Sequence, residues 1–253
     1  MKSDLTNITF CIPYRKDSQA RENNLCFLIE FLQANFDTNI FIIENGKEQT
    51  FNVLKGNDKL KYQFQQCNDE FFHRTKILND IFRQCNTQFV ANYDTDVIFR
   101  PLQYIKAYEL LLTDKADIVY PYNAGFFDID LSILKTYPID NINFNEASYK
   151  TTLNTPYSVG GAVFCNLQKY KDAGLENEKF ISYGYEDNER IARFNTLGYR
   201  VERIRGLLFH LKHSRGVNSW TTSPYFKQNE SEYKRIMSMD KTQLLVEIKS
   251  WHL

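Results

Sequence analysis

Two aspartates separated by one residue, Asp94 and Asp96, follow directly after the apolar segment Gln88–Tyr93. Carboxylates this close together repel each other unless a cation lies between them, and a divalent metal there could also bind the oxygens of a diphosphate. The same pattern is typical of an Asx-type turn that binds no metal. The residue types alone leave both interpretations open.

Two of the four histidines, His210 and His213, lie three residues apart after another apolar segment. Together with a carboxylate oxygen of Asp96, two imidazole nitrogens would suit Mn²⁺ or a similar borderline ion. Both histidines could instead be ordinary surface or core residues. We treat the three residues as candidate metal ligands, with Mn²⁺ as the expected ion and Mg²⁺ as the alternative.

An acidic pair, Glu186 and Asp187, begins a predicted helix after Tyr183-Gly184-Tyr185. The helix dipole favours carboxylates at this position, which is a sufficient structural explanation. A carboxylate here could also act as a general base and take the proton of an attacking hydroxyl group. Both acidic residues are therefore candidate catalytic groups.

Basic residues lie at or after the ends of predicted strands in the first half of the chain. Such residues could bind phosphate oxygens, although most arginines and lysines are simply solvated. The candidates are Arg15, Arg21, Arg74 and Lys76.

Strands and helices are predicted to alternate over the first two-fifths of the chain, which indicates an α/β fold. The strands are expected at Ile8–Tyr14, Asn39–Glu44 and Gln88–Tyr93, and the helices at Arg21–Phe36 and Arg74–Cys85. This alternation predicts a mostly parallel, twisted sheet flanked by helices. Because ligands of such sheets bind beyond the carboxyl ends of the strands, the aspartate pair is expected at the ligand edge.

The second half of the chain continues the same pattern after one irregular segment. Helices are predicted at Pro101–Leu112, Asp187–Leu197 and Glu232–Lys249, and strands at Asp117–Pro121, Val159–Cys165, Tyr199–Ile204 and Leu207–Leu211. The segment Asn123–Pro156 is polar and weakly periodic, which predicts a long excursion on the surface. Without repeats or a flexible linker, residues 1–253 are expected to form a single domain.

Composition limits the classes of function. The 253 residues carry no formal net charge at pH 7, so the overall charge gives no indication of nucleic-acid binding. No apolar stretch is long enough to span a bilayer and no signal peptide is recognisable, so the predicted location is the cytoplasm. The five cysteines are an odd number without CxxC spacing, which indicates buried free thiols in a reducing compartment.

Several motifs, in the same order along the chain, resemble those of the β-1,4-galactosyltransferase family. The Gly160-Gly161 pair is followed by an aromatic–Gly–x–Glu–Asp run at Tyr183–Asp187 and then by a helix, as in that family's carboxyl-terminal signature. The other similar segments are CIPYR at Cys11–Arg15, RENNL at Arg21–Leu25, FHRTKILN at Phe72–Asn79, Asp94-Thr95-Asp96, and FHLKHSR at Phe209–Arg215. The resemblance covers most of residues 8–216.

This resemblance implies a GT-A fold, a Rossmann-like sheet that binds Mn²⁺ and a UDP-sugar, and inversion at the anomeric carbon. By position, Asp96, His210 and His213 would bind the metal, with His210 in place of the family's Met. Asp187 would be the general base and Glu186 would bind the acceptor. The nucleotide site would be lined by Pro13, Tyr14, Arg15, Arg21, Arg74 and Asp94. Residues 1–100 would form the nucleotide-binding half and residues 101–253 the acceptor and catalytic half.

Departures from the family pattern concern the sugar and the acceptor, for which Ser158, Gly161 and Tyr183 are the candidate residues. Tyr183 replaces a Trp and Tyr185 replaces a Gly, so contacts with the acceptor are expected to differ. Ser158 stands where galactose-specific members have a Tyr beside the C2 substituent of the sugar. The smaller side chain leaves room for an N-acetyl group, which makes UDP-GalNAc a candidate donor beside UDP-Gal.

The combined expectation is a metal-dependent inverting transferase that moves Gal or GalNAc from a UDP-sugar to a hydroxyl of a glycan or lipid-linked glycan. No nucleic-acid partner and no integral membrane segment are expected. The absence of a recognisable stem resembles bacterial members, which suggests surface polysaccharide synthesis, with the C-terminal helix as a potential contact with the inner membrane. The alternatives are a retaining GT-A transferase or sugar-nucleotide hydrolase, a non-catalytic nucleotide-sugar-binding domain and a metal-dependent nuclease, of which the neutral charge argues against the last.

Overall fold

The computed structural model describes residues 2–52, 58–123, 125–145, 158–216, 218 and 221–251. Its strands are β1 (Ser3–Tyr14), β2 (Phe36–Gly46), β3 (Leu60–Gln66), β4 (Phe89–Tyr93), β5 (Val97–Ile98), β6 (Ile118–Tyr120), β7 (Phe126–Ile129), β8 (Ala162–Asn166), β9 (Val201–Arg203) and β10 (Leu208–Leu211). Its helices are α1 (Gln19–Asn35), α2 (Arg74–Gln84), α3 (Pro101–Leu112), α4 (Leu131–Leu134), α5 (Leu167–Asp172), α6 (Glu186–Leu197), α7 (Phe226–Met237) and α8 (Lys241–Lys249).

A seven-stranded sheet in the order β3-β2-β1-β4-β8-β6-β9 forms the centre of the fold. Strand β8 is antiparallel to both of its neighbours, whereas the other adjacent strands are parallel. The apolar runs of β1, β2 and β4 are buried on both faces because helices cover the sheet on each side. The predicted α/β class with a mostly parallel sheet is therefore confirmed.

A second, three-stranded sheet in the order β5-β10-β7 lies next to the first. Its existence corrects the prediction that Asn123–Pro156 is a surface excursion. Within this range Phe126–Ile129 pairs in parallel with β10, and both Ile142 and Phe144 are buried in the core. The prediction failed because apolar residues in this segment are scattered among polar ones, and the pairing partner lies about 80 residues away. Residues 146–157 of the predicted excursion lie outside the described part.

The chain also differs from expectation at its C-terminus, where Glu232–Lys249 was predicted to be one helix. Helix α7 ends at Met237, and α8 begins after Asp240, whose side chain accepts a hydrogen bond from the backbone N–H of Gln243. Gln243 bonds back to the backbone of Asp240, so the two residues form a capping box that starts a new helix.

Two smaller features bear on the expected environment of the protein. None of the described helices has the length and apolarity needed to cross a bilayer. All five cysteines are free, and Cys11, Cys85 and Cys165 are buried as expected, whereas Cys26 and Cys67 are half-buried.

Candidate functional site

A cavity of about 810 Å³ opens where the ends of β1 and β4 meet the beginning of the antiparallel strand β8. The cavity lies at the carboxyl edge of the parallel strands, as the strand-end rule requires. Of the residues predicted for the site, those lining the cavity are Pro13, Arg15, Arg21, Arg74, Asp94, Asp96, Ser158, Gly161, Tyr183, Glu186, Asp187, His210 and His213. Lining residues that the sequence did not single out include Asp17, Phe72, Phe126, Asp128 and Arg215.

Two predicted residues lie elsewhere. Tyr14 is completely buried, and its ring packs edge-on against Phe51 with centroids 6.0 Å apart, so its side chain does not line the cavity. Its position follows from β1, because successive side chains of a strand point to opposite faces. Lys76 is an exposed residue of α2 and also lies outside the cavity.

The potential metal ligands Asp96, His210 and His213 come together, with one ligand atom from each lying within 4.8 Å of the others. Nε2 of His213 lies 3.0 Å from Oδ2 of Asp96, while Nδ1 of His213 donates to the carbonyl of Ser214. One carboxylate oxygen and two imidazole nitrogens are a donor set suited to Mn²⁺.

Asp128, which the sequence did not identify, orients His210. Nδ1 of His210 donates to Oδ1 of Asp128 at 2.7 Å, which leaves Nε2 on the side of Asp96, 4.0 Å from its Oδ1. Burial disfavours the charged imidazole, but the hydrogen bond to Asp128 and the charge of Asp96 outweigh it and raise the pKa of His210. The carboxylate–histidine pair fixes the tautomer that a metal at Nε2 would need.

Arg21 closes the other side of this cluster. Its Nη1 donates to Oδ2 of Asp96 at 2.9 Å, and its Nε donates to Asp17 at 3.0 Å. Burial alone would raise the pKa of Asp96, but the hydrogen bond from His213 and the charges of His210 and Arg21 outweigh it and hold that pKa well below its usual range. Asp96 is therefore ionised and available to a cation at neutral pH.

Arg74 lies between Asp94 and the acidic start of α6. Its Nη2 donates to Oδ1 of Asp94 at 2.7 Å and to Oδ1 of Asn92 at 2.8 Å. Among the described residues its buried Nη1 has no hydrogen-bond partner, and it lies 4.0 Å from Oδ1 of Asp187. Burial raises the pKa of Asp94 in spite of the neighbouring guanidinium.

The two oxygens of Asp187 have different surroundings. Oδ1 accepts a hydrogen bond of 2.7 Å from Nη1 of Arg190, one turn along α6. Oδ2 lies beside Gly160 at the cavity wall. One oxygen of this carboxylate is thus held by Arg190, and the other lies beside Gly160, which also lines the cavity.

Glu186 also lines the cavity, and its Oε2 accepts from the backbone N–H of Gly184 at 3.0 Å. Burial, together with the charge of Asp187, raises the pKa of Glu186 to about 7. Near neutral pH this carboxyl is therefore divided between its protonated and ionised forms.

The segment containing Ser158 and Gly161 is fixed by hydrogen bonds to its backbone carbonyls, from the end of β4 and from the side chain of Arg203 in β9. The N–H of Asp94 donates to the carbonyl of Gly161 at 2.9 Å, and Arg203 donates to the carbonyl of Ser158 at 2.9 Å. Gly161 has φ +87°, and a Cβ atom there would lie 2.9 Å from Leu208. A glycine is needed at this position on both grounds.

Arg15 faces the cavity, but its donors are largely used by the protein. Its Nε donates to the carbonyl of Asn45 at 3.0 Å, and its Nη1 donates to the carbonyls of Asp69 and Glu70, both at 3.1 Å. The guanidinium also lies 5.3 Å from the ring centroid of Phe72. These contacts connect the end of β2 to the segment before α2, so Arg15 shapes this wall of the cavity.

Aromatic residues extend the site beyond Tyr183. The ring of Tyr183 stacks on Phe226 with centroids 6.3 Å apart, and Tyr185 stacks on Tyr233 at 5.3 Å. Phe226 and Tyr233 belong to α7, which was not associated with the site from sequence because Phe226 lies 43 positions after Tyr183 and no motif joins them. The rings form a half-buried aromatic surface beside the acidic pair.

Comparison with known proteins agrees with this geometry. Residues 142–215 match the family model described as the N-terminal domain of galactosyltransferase. The matched segment contains the Gly160-Gly161 pair, the acidic pair and both histidines. No curated protein matches the chain in sequence.

Among solved structures, S. aureus TarS 1–349 in complex with UDP-GlcNAc is similar with a TM-score of 0.63 and 14% identity, covering 100% of this chain and 72% of that one. This likeness establishes a shared fold. The catalytic domain of Drosophila beta1,4galactosyltransferase 7 in complex with xylobiose has a TM-score of 0.44 and 15% identity, covering 79% of this chain. This chain covers 64% of the Drosophila domain, which is less than two thirds of its length.

The protein therefore has the GT-A fold, which it shares with TarS. Its residues 142–215 are similar to the galactosyltransferase family.

Proposed function

We propose that the protein is a metal-dependent inverting glycosyltransferase that transfers a hexose, Gal or GalNAc, from a UDP-sugar to a hydroxyl group of a glycan. The observation that carries this proposal is that one cavity is lined both by a three-residue cluster suited to a divalent cation and by the carboxylate of Asp187. TarS, which shares the fold, was solved with UDP-GlcNAc, and this supports extending a UDP-sugar donor to the present chain.

Asp96, His210 and His213 would hold the cation. When bound, a divalent cation neutralises the negative charge that develops on the departing diphosphate. Arg21, which already bonds to Asp96, would contribute a second positive charge on the same side of the cavity. Asp94 and Arg74 form the wall between this cluster and Asp187.

Asp187 would act as the general base. An acceptor hydroxyl placed at its Oδ2 loses its proton to that oxygen as the new bond to the anomeric carbon forms, and the bond to the diphosphate oxygen breaks with its electron pair leaving on UDP. Because attack and departure occur on opposite faces of the sugar ring, the anomeric configuration inverts. Glu186 would contact the acceptor, and Tyr183 with its aromatic neighbours would stack on it.

The finer assignments are also proposals. Ser158 at the cavity wall supports a donor with an N-acetyl group at C2, although Gal is equally compatible with a small residue. The acceptor would be a glycan or lipid-linked glycan, and surface polysaccharide synthesis at the cytoplasmic side of a bacterial inner membrane is the expected setting. The residues Leu245 and Val246 are exposed on α8 and would be the surface for peripheral contact with such a membrane.

The test is UDP release with Mn²⁺ across a panel of UDP-sugars, for the wild type, Asp96→Ala and Asp187→Asn. We expect release from UDP-Gal or UDP-GalNAc that requires both Mn²⁺ and Asp96. Asp187→Asn should bind UDP normally and lose transfer by roughly 10²–10⁴-fold, the usual contribution of a general base. Full turnover in Asp187→Asn would refute its role, and UDP binding without turnover by the wild type, with mixed glycan acceptors present, would favour a non-catalytic domain. The anomeric configuration of the product, read by NMR, separates inversion from retention.

A further inference from the structure

A completely buried ion pair between Arg190 and Glu176 is hydrogen-bonded to Asp187. Arg190 is 1% exposed, and its Nη1 donates to Oδ1 of Asp187 at 2.7 Å. The other edge of the same guanidinium binds Glu176, which is also 1% exposed, with Nε to Oε1 at 2.7 Å and Nη2 to Oε2 at 3.0 Å. Arg190 therefore binds Glu176 through two parallel hydrogen bonds and Asp187 through one.

Glu176 is itself fixed to the strand that carries the aspartate pair. Its Oε1 accepts from Nδ2 of Asn92 at 3.1 Å and from the hydroxyl of Tyr170, and its backbone N–H donates to Asn79 at 2.9 Å. Asn92 belongs to β4 and also binds Arg74. A chain of buried hydrogen bonds thus connects Asp187, through Arg190 and Glu176, to β4, and Asp94 and Asp96 follow the end of that strand.

The division of Arg190 between two carboxylates has a geometric consequence for Asp187. Two parallel hydrogen bonds to Glu176 fix the orientation of the guanidinium of Arg190. Nη1 of the guanidinium in this orientation holds Oδ1 of Asp187, while Oδ2 lies beside Gly160 in the lining of the cavity. Without Glu176, the guanidinium would lose the two bonds that orient it, and Oδ1 of Asp187 would no longer be held in one position.

We propose that Glu176 is a positioning residue for transfer, acting through Arg190 to keep one oxygen of Asp187 directed at the acceptor hydroxyl. The inference rests on the proposed role of Asp187 as the general base. Glu176 touches no substrate, and its effect is to set the orientation of the carboxylate that does.

The fold supplies a matched control on the same helix. Arg193 and Glu189, at 0% and 1% side-chain exposure, form a second buried ion pair with Nε to Oε1 at 2.7 Å. Arg193 also donates to the backbone carbonyl of Ala173. This pair has the same chemistry and burial, but neither residue lines the cavity. Breaking either pair leaves a buried charge without its partner and should lower stability by a similar amount.

The experiment compares Glu176→Gln and Arg190→Lys with Glu189→Gln and Arg193→Lys. Thermal denaturation, UDP affinity, donor KM and kcat per UDP-binding site are measured for each. All four variants should lose thermal stability. Glu176→Gln should lose about a hundredfold in kcat, the usual cost of a misplaced catalytic group. The donor KM and UDP affinity of Glu176→Gln should stay within about twofold of wild type. In Glu189→Gln, kcat should also stay within about twofold of wild type, because that substitution removes no contact made in the transition state.

If Glu176→Gln does not fold, Arg190→Lys decides, because a single ammonium cannot bind both carboxylates as the guanidinium fork does. A second readout is the double variant with Asp187→Asn. Since Glu176 acts only through Asp187, adding Glu176→Gln should leave the residual turnover of Asp187→Asn unchanged. The inference would be overturned if kcat fell equally in the variants of the Glu176–Arg190 pair and of the Glu189–Arg193 pair. It would also be overturned if the double variant had a lower turnover than Asp187→Asn alone. Retained turnover in Asp187→Asn would instead overturn the proposed function.

Discussion

Oδ2 of Asp187 and the backbone of Gly160 are in such close contact that a Cβ atom at Gly160 would lie 2.8 Å from that oxygen. The backbone of Gly160 does not have a positive φ, so alanine would be compatible with its conformation. The absence of a side chain at Gly160 therefore leaves room for the carboxylate of Asp187.

Gly160→Ala should consequently displace the carboxylate of Asp187 while leaving the fold intact. We expect kcat to fall by about a hundredfold, as for a misplaced catalytic group, with little change in UDP affinity. The control is Gly46→Ala, where a Cβ atom would meet only the carbonyl of Glu48 at an ordinary 3.5 Å. Equal kcat values for the two variants would show that Oδ2 of Asp187 has no function in transfer.

Asp128→Asn should weaken binding of Mn²⁺, because the amide no longer holds the Nδ1–H of His210 with the strength of a carboxylate. The expected loss of affinity is about 10–100-fold, the usual effect of removing the partner of a metal-binding histidine. Free Mn²⁺ can be titrated by electron paramagnetic resonance, without any measurement of transfer. Asp130→Asn is the matched control, because Asp130 follows the same strand but pairs with the exposed Lys212 at 3.1 Å. Unaltered Mn²⁺ affinity in Asp128→Asn would argue against His210 as a ligand.

The raised pKa of Glu186 predicts a pH-dependent stability. The unfolded chain releases this proton near pH 4.5 and the folded protein near 7, so the folded state binds more protons between these values and its stability falls as pH rises through this window. Glu186→Gln removes this destabilising effect. Its Tm should exceed that of wild type at pH 8, by roughly 2–4 °C for each kcal/mol of destabilisation that the substitution removes. At pH 4 its Tm should not exceed that of wild type. A difference in Tm between variant and wild type that is the same at both pH values would contradict the assignment.

Ser158→Tyr tests the choice of donor. A tyrosine at this point of the cavity wall would occupy the space proposed for the C2 substituent of the sugar. We expect kcat/KM with UDP-GalNAc to fall relative to UDP-Gal by about tenfold or more, since the larger sugar would clash. A ratio of the two kcat/KM values that does not change would place the C2 substituent away from Ser158.

The sequence was sufficient to predict the buried strands and most of the residues that line the candidate cavity, and the physical reasons are specific. The buried runs in β1, β2 and β4 are mostly apolar because both faces of the sheet are covered, so they were recognisable without context. By contrast, β3 is a half-exposed edge strand with the polar sequence LKYQFQQ, and only its pairing with β2 makes it a strand. The break before α8 was readable in principle, since Asp240 and Gln243 have the spacing of a capping box.

Residues that act through another side chain were the ones missed. Asp128 lies 82 positions from His210, and Glu176 lies 11 positions from Asp187 with no motif joining them. Their roles depend on strand pairing and on a buried guanidinium, neither of which leaves a local pattern. For Arg15, the position beside the cavity was predicted from the sequence, but the hydrogen bonds to backbone carbonyls were not.

The antiparallel direction of β8 brings the end of β4 and the beginning of β8 to the same point, with Tyr93 opposite Ala162. The aspartate pair follows the end of one strand at the point where the glycine pair precedes the other, although Gly160 lies 64 positions after Asp96 along the chain. The loops between these two points can therefore vary in length without moving the site, provided that β5, β6 and β7, which lie between them in the chain, keep their pairings with β10 and β8. A shift of β8 by one residue would turn each of its side chains to the opposite face and carry Gly160 about 3.3 Å away from the aspartates. The protein can thus accommodate changes of length in these loops, but not in the two short strands that bring the aspartates and the glycines together.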